Sequence, residues 1–440
     1  MKVMIDGFNL GLDKGTGVAT YGRNLSRTVK AMGHEVGVLY GRGKPVKFKD
    51  PLLNEIAFFD AAGGTKRRLF EPTRLVLDAA LGAFGFPVDA VPPTNAVLID
   101  SMKSVFPAYD ELWNSTHLYD HCNRTFNLFN RLGAVSLPGV DIAHWTYPLP
   151  VYAKNAANIY TFHDLVPLRL PHTTLDNKRK YLKLCKRLVD TADHIVTVSE
   201  TSRRDIINLL NADPGKVTNT YQSVSFPPHV FAKTEAQVEE ELAGTFNLQY
   251  KKYFLFFGAI EPKKNINRIL EAYLGSGINT PLVIVGAPGW KNDEELRLLT
   301  ALNGLPKSAQ NKKDRIIRLE YLPFSLLISV IRGAKATFFP SLYEGFGLPV
   351  LESMALGTAV LTSNTSSLPE VAGDAACLID PYDTQAMAEA MRALDANDAW
   401  RSGLEAKGRE QAKLFSEDAY AQRLQTLYQS VVEKKRKLAR

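Results

Sequence analysis

The sequence predicts an α/β protein of two Rossmann-like halves, each a parallel sheet with crossover helices. Three observations predict it. Short apolar, β-rich runs alternate with stretches of helical period in both halves, the pattern of strand–helix–strand units. The chain has 440 residues, enough for two or three domains. The alternation breaks where Pro227-Pro228 is followed by a charged stretch at residues 233–241, which sets the boundary near 226–248.

In chain order, the first half should form strands at residues 3–6, 35–40, 141–145, 159–162 and 195–198. Helices fall near 18–32, 175–191 and 200–211. After the boundary, strands are expected at 253–257, 282–285, 316–319, 337–339 and 359–361, with helices near 266–273, 293–303, 324–332 and 384–394. Residues 41–135 are less regular and longer than a βαβ connection requires. They read as an irregular insertion, in which Lys66-Arg67-Arg68 stands beside an apolar run over 75–87. Packing on the first half is favoured, with membrane contact as the alternative. A last helix from Glu417 to about Val432 carries Tyr420, Leu424, Leu427, Tyr428 and Val431 at helical spacing. The tail over 434–440 is expected to fray.

Composition excludes several classes. Hydrophobic residues make up 45% and charged residues 22%, an ordinary globular balance. No apolar run reaches the roughly 18 residues of a membrane span. The chain is expected to enter a strand at Lys2, and no signal peptide is expected ahead of it. Cys122, Cys185 and Cys377 are scattered and odd in number, so neither a disulfide framework nor a zinc site is expected. The expected place is the cytoplasm, free or at the inner face of the membrane. The net charge is +7, which favours anionic partners such as nucleotide sugars or lipid head groups; no nucleic-acid motif accompanies it.

The chemistry concentrates in residues 336–371. A strand leads into the turn Glu344-Gly345-Phe346-Gly347-Leu348, then a helix carrying Glu352, then a second strand at 359–361. Open backbone N–H groups at a helix start suit an anionic phosphate. Carboxylates flanking the turn suit sugar and ribose hydroxyls, because an ionised carboxylate only accepts. With Ser363-Asn364 and Leu368-Pro369-Glu370-Val371 behind it, this segment resembles the donor-site signature of retaining, nucleotide-sugar-dependent glycosyltransferases of family 4, which have the GT-B fold.

The resemblance extends over most of residues 1–40 and 141–432. It implies two Rossmann-like domains facing a central cleft: an acceptor-side domain over 1–230 with the insertion 41–135, a nucleotide-sugar domain over 245–415, and a C-terminal helix over 416–440 that returns to the first domain. Gly258 ends a strand and leads through Ala259 to Lys263-Lys264-Asn265. By resemblance Lys264 stabilises the donor diphosphate. Many members carry an arginine where this chain has Ala259, which argues against a two-cation diphosphate clamp unless a second cation comes from elsewhere; Lys263 is expected to be solvated. His163, in Phe162-His163-Asp164-Leu165, matches the family histidine beside the transferred sugar, and Asp164 either orients it or caps the next turn. Ser199 is weighed equally as a helix cap and a ligand contact. Gly15, Thr16 and Gly17 match a glycine-rich acceptor-side loop, although a tight turn explains them as well.

The resemblance implies catalysis by His163, Glu344 and Lys264. The donor would be held by Glu352, Gly258, Gly345, Phe346, Gly347 and Leu348. No Asp-x-Asp pair ends a strand, so neither a metal nor another cofactor is expected. The sequence looks most like mannosyltransferases of bacterial surface-polysaccharide or lipopolysaccharide synthesis. GDP-mannose is the expected donor and a saccharide or lipid-linked saccharide the acceptor. A UDP-sugar enzyme of the same fold, a nicotinamide-dependent Rossmann enzyme and a non-catalytic saccharide-binding relative are the alternatives.

Overall fold

The computed structural model describes residues 1–10, 17–43, 48–60, 85–94, 96–97, 106–224, 226–287, 289, 315–319 and 321–438. The acceptor-side Gly15 and Thr16, the helix expected at 293–303 and the basic cluster Lys66-Arg67-Arg68 lie outside the described residues.

The first sheet contains β1 (Lys2–Asp6), β2 (Glu35–Tyr40), β3 (Asp89–Val91), β4 (Glu111–Asn114), β6 (Ile142–Trp145), β8 (Ala157–Phe162), β9 (His194–Thr197) and β10 (Val217–Asn219). A separate pair joins β5 (Gly133–Val135) to β7 (Val151–Ala153). The order across the first sheet is β10-β9-β8-β6-β1-β2-β4-β3, parallel except for β3 against β4. Every residue of β6, β8 and β9 is buried, as helices covering both faces of a parallel sheet require. The helix Gly17–Ala31 turns Ala19, Tyr21, Leu25 and Val29 inward, and Tyr21 Oη lies 3.0 Å from Thr161 Oγ1 on β8.

The second sheet contains β11 (Phe254–Phe257), β12 (Leu282–Val285), β13 (Ile316–Leu319), β14 (Ala336–Phe339), β15 (Ala359–Ser363) and β16 (Cys377–Ile379), all parallel. Its order is β13-β12-β11-β14-β15-β16, the doubly wound Rossmann arrangement. Strand order reverses between β11 and β14. Such a point is where open α/β sheets bind ligands.

The final helix, Glu417–Leu438, leaves the second sheet and returns to the first. Tyr428 Oη lies 2.7 Å from His144 Nδ1 on β6, and Arg423 Nε donates to the Thr220 carbonyl at 2.9 Å. Two expectations are corrected. The tail is helical through Leu438 rather than frayed from 434, because Lys435 Nζ reaches both carboxylate oxygens of Asp193 at 2.9 Å. Residues 41–135 are not irregular throughout. Asp50 caps the helix Pro51–Phe59, β4 and β3 extend the sheet beyond β2, and the helix Leu118–Phe129 buries Leu118, Tyr119, Cys122 and Phe126. Strands of three or four residues are too short for their alternation to stand out in sequence.

Candidate active site

The loops after β11 and β14 meet at the reversal of the second sheet. After β11 the chain passes Gly258, whose φ of +132° suits glycine, and makes a short turn over Pro262–Lys264. Asn265 fixes that turn: its amide donates to the carbonyls of Pro340 at 2.9 Å and Pro381 at 2.7 Å. The Leu342 N–H donates to the Lys263 carbonyl at 2.8 Å. The two loops are thereby tied, and Lys264 Nζ donates to Glu344 Oε1 at 2.6 Å.

Lys263 is not solvated, contrary to expectation. Its Nζ lies 3.8 Å from Glu344 Oε2, and both side chains are largely covered. Burial acts to lower the Lys263 pKa, but Glu344, Asp164 and Glu261 leave it raised. Burial likewise acts to raise the carboxyl of Glu344, and the charges of Lys264 and Lys263 overcome it, holding the group down to about 2. Glu344 is therefore a carboxylate at any physiological pH. Lys263 is thus a second cation beside Glu344.

Glu352 sits on the next helix, Leu348–Ala355, half-buried. Burial pushes its carboxyl up to about 7 against the pull of Lys264. Among the described residues nothing hydrogen-bonds this carboxylate. Gly347 opens the helix with a φ of +106°. The backbone N–H groups of Gly345, Phe346, Gly347 and Leu348 likewise donate to no protein group among the described residues. Ser367 Oγ donates to the carbonyls of Glu344 and Phe346, which fixes the loop from below. Phe346 itself points away from this face; it is buried against Tyr221 and Phe415.

The facing wall comes from the first sheet. His163 follows β8, and its Nε2 lies 2.9 Å from the Thr146 carbonyl. A carbonyl only accepts, so Nε2 carries the proton and Nδ1 is left as an acceptor. Burial lowers the His163 pKa, so the ring is neutral. Tyr21 packs edge-on against it at 4.8 Å. The Thr146 N–H donates to Asp6, a fully buried carboxyl at the end of β1 that burial pushes up to about 6. Asp6 and Thr146 thus orient His163. Asp164 caps the following turn, accepting from the Val166 N–H at 3.0 Å.

The walls touch. A Cβ on Gly345 would come within 2.6 Å of the His163 carbonyl oxygen, so only glycine allows the approach. Ser202 Oγ lies 2.7 Å from that carbonyl and 3.3 Å from Gly345 O. Ser199 caps its helix through the Ser202 N–H at 3.0 Å. Glu370, on the second domain, accepts from the Glu200 N–H at 2.7 Å and the Thr201 N–H at 3.3 Å of that same helix. Beside this seam is a cavity of about 620 Å³ bordered by Arg169, Arg204, Tyr343 and Ser366.

His163, Lys264, Glu344, Gly345 and Gly347 are therefore brought to one place, with Glu352 on the adjoining helix and Gly258 at the strand end. Gly17 starts its helix in the open, with nothing within 4 Å of a Cβ placed there. Asp6, Thr146, Ser202 and Lys263 were missed as site residues. Asp6 carried a signal, being an acid that closes the apolar run of residues 3–5.

Residues 104–224 match the family described as Glycosyltransferase Family 4, and residues 238–413 match Glycosyl transferases group 1. The O-antigen chain mannosyltransferase B of Escherichia coli is 32% identical over 265 residues, covering 59% of this chain and 66% of that one. The O-antigen chain mannosyltransferase RfbU of Salmonella typhimurium is 27% identical, covering 58% and 64%. The chain thus spans slightly less than two thirds of these relatives. Among solved structures, sucrose-phosphate synthase from Thermosynechococcus elongatus superposes with a TM-score of 0.66 at 16% identity, covering 99% of this chain and 100% of that one. An Anabaena protein in complex with UDP and glucose superposes at 0.62 and 12% identity, covering 98% and 100%. These likenesses show the fold, two Rossmann-like domains facing a cleft.

Proposed function

The chain belongs to the two-domain glycosyltransferases of family 4 and group 1, and from that premise we propose that it moves a mannosyl residue from GDP-mannose to a saccharide or lipid-linked saccharide acceptor, with retention at the anomeric carbon. The observation that carries this reading is the 2.6 Å pair of Lys264 and Glu344 at the sheet's switch point, with the His163 loop laid against Gly345. Two O-antigen mannosyltransferases among the relatives support the mannosyl assignment and a role in surface-polysaccharide synthesis.

In the proposed reaction the bond from the anomeric carbon to the phosphate oxygen breaks, and its electron pair leaves on the diphosphate. The acceptor oxygen bonds the same face of that carbon and gives its proton to the departing phosphate oxygen. Lys264 and Lys263 stabilise the charge that develops on the diphosphate, helped by the open N–H groups of residues 345–348. Glu344 contacts the transferred sugar and Glu352 the ribose hydroxyls. The neutral His163 accepts a sugar hydroxyl at Nδ1 from the facing wall. Closure of the domains excludes water and spares the donor from hydrolysis. No metal or other cofactor is assigned; protein cations meet the diphosphate. Among the described residues no helix is long and apolar enough to cross a membrane, and the proposed place of action is the cytoplasm, at the membrane's inner face.

The test is GDP release from GDP-mannose with saccharide acceptors, together with the anomeric configuration of the product by proton NMR. Retention, with turnover lost in Glu344→Ala, is the expected result. Full turnover in Glu344→Ala and Lys264→Ala contradicts the site, and turnover confined to UDP-sugars reassigns the donor.

A further inference from the structure

At the end of the first sheet's strands opposite His163 lies a second cavity, of about 500 Å³. It opens between the helix Leu118–Phe129, the start of β8 and the last turns of Glu417–Leu438. The length of β8 separates it from the cleft, roughly 17 Å at about 3.3 Å per residue. Arg131, Arg187 and Lys435 ring it together with Lys154, and Asp193 is the one carboxylate among its described lining residues. Asp193 is already engaged: it takes Lys435 Nζ at 2.9 Å and the Asn158 N–H at 2.8 Å. Arg131 and Arg187 are exposed and pair with no carboxylate among the described residues. In the wall, Thr125 is 3% exposed, and its Oγ1 is buried with no hydrogen-bond partner. Buried hydroxyls are ordinarily bonded, so an open one beside a surplus of positive charge marks a place for an anionic acceptor of hydrogen bonds. The proposed transfer reaction uses none of these residues.

We propose that this cavity binds a phosphate group, carried either by a small soluble phosphate or by the head group of an anionic phospholipid. The planar guanidinium groups of Arg131 and Arg187 suit phosphate oxygens two at a time, and Thr125 Oγ1 donates from the wall. Both sources are within reach, because Arg187 lies on the helix Lys178–Thr191, which also carries Lys178, Arg179, Lys180, Lys183 and Lys186.

The test uses the full chain. Inorganic phosphate is titrated with phosphorus NMR as readout. Separately, the protein is co-sedimented with vesicles of equal parts phosphatidylglycerol and phosphatidylcholine, and with phosphatidylcholine alone. Each experiment is run on wild type, Lys264→Ala, the double variant Arg131→Ser/Arg187→Ser, and Thr125→Val. Lys264→Ala, which disables the donor site, is expected to keep the binding. The double variant is expected to weaken it at least about tenfold, the scale of lost charge-assisted bonds. Thr125→Val, which changes no charge, is expected to weaken it severalfold and so separates the cavity from general surface attraction. Phosphate binding identifies the soluble source, and binding only to anionic vesicles identifies the head group. Binding of neither probe, or wild-type binding in both cavity variants, overturns the proposal. GDP-mannose turnover with a soluble acceptor should be unchanged in the double variant, so this inference and the proposed reaction fail separately.

Discussion

The wall of the cleft built on the second sheet carries Glu344, Lys263 and Lys264 in mutual contact, whereas the wall built on the first sheet presents a neutral imidazole held by a backbone carbonyl. Both are largely buried, yet burial has opposite consequences. On the charged wall, Lys264 and Lys263 overcome the cost of burial and hold the Glu344 carboxyl down to about 2. On the neutral wall, no strong partner is supplied, so desolvation decides: His163 and His144 are both lowered, His144 to about 3, and Asp6 is raised to about 6. A diphosphate needs the first kind of surface and sugar hydroxyls the second. The same chain makes both by placing or withholding a counter-charge.

The largest effect should come from the charged wall. Lys264→Ala is expected to lower turnover about 10²- to 10³-fold, the scale of losing one preorganised group at a developing charge. Thermal unfolding should change far less, because Lys263 still faces Glu344. A variant with near-normal turnover, or one that fails to fold, breaks the contrast.

The neutral wall should be less costly to damage. His163→Ala is expected to lower kcat/KM by about tenfold, the order of one neutral hydrogen bond. Burial lowers the His163 pKa below its ordinary 6.5, so the ratio of wild type to variant should hold as pH falls from 8 to 7. A ratio that collapses over that range would mean that the imidazole titrates there.

Two carboxyls on the charged wall sharpen the comparison, because only one has a counter-charge in contact. Glu344 is held at about 2 and Glu352 at about 7, either side of their ordinary 4.5. The paired Glu344 stabilises the fold above pH 4.5, and that contribution is lost as pH falls through 4.5 towards 2. The unpaired Glu352 does the reverse: the native state holds its proton more tightly, so it costs stability increasingly as pH rises from 4.5 to 7. Denaturant unfolding of Glu352→Gln should therefore match wild type at pH 4 and exceed it at pH 8. An equal difference at both pH values contradicts the unpaired burial of Glu352.

Much of the charged wall was legible in sequence, because its residues lie in two short continuous segments whose strand, turn and helix signals are local. Glu344, Gly345, Gly347 and Glu352 fall within one strand–loop–helix unit, and Lys264 follows one strand end. The neutral wall was harder to read. His163 was visible at a strand end, but Asp6 and Thr146 reach it only through the pairing of β1 with β6 and of β6 with β8, contacts that span 140 residues between Asp6 and Thr146. Lys263 was misjudged for a related reason: its neighbour in sequence is the obvious ligand, and only the tie between the 258–265 and 340–347 loops turns both lysines onto Glu344. In the fold, β3, β4, β5, β7, β10 and β16 escaped notice because three or four residues carry little period, while the six-residue buried run of β8 and the wholly apolar Phe254–Phe257 of β11 were plain.

The most direct test of the account is the thermal shift of the full chain with GDP, GDP-mannose, UDP, UDP-glucose and NAD, each with and without EDTA, in wild type and Lys264→Ala. Ligand at about 100 times its dissociation constant stabilises by roughly 2.7 kcal/mol, a readable rise. The account predicts a rise with GDP and GDP-mannose that EDTA leaves unchanged and Lys264→Ala largely removes. A rise only with NAD, or a GDP-mannose rise that survives loss of Lys264 intact, would contradict it.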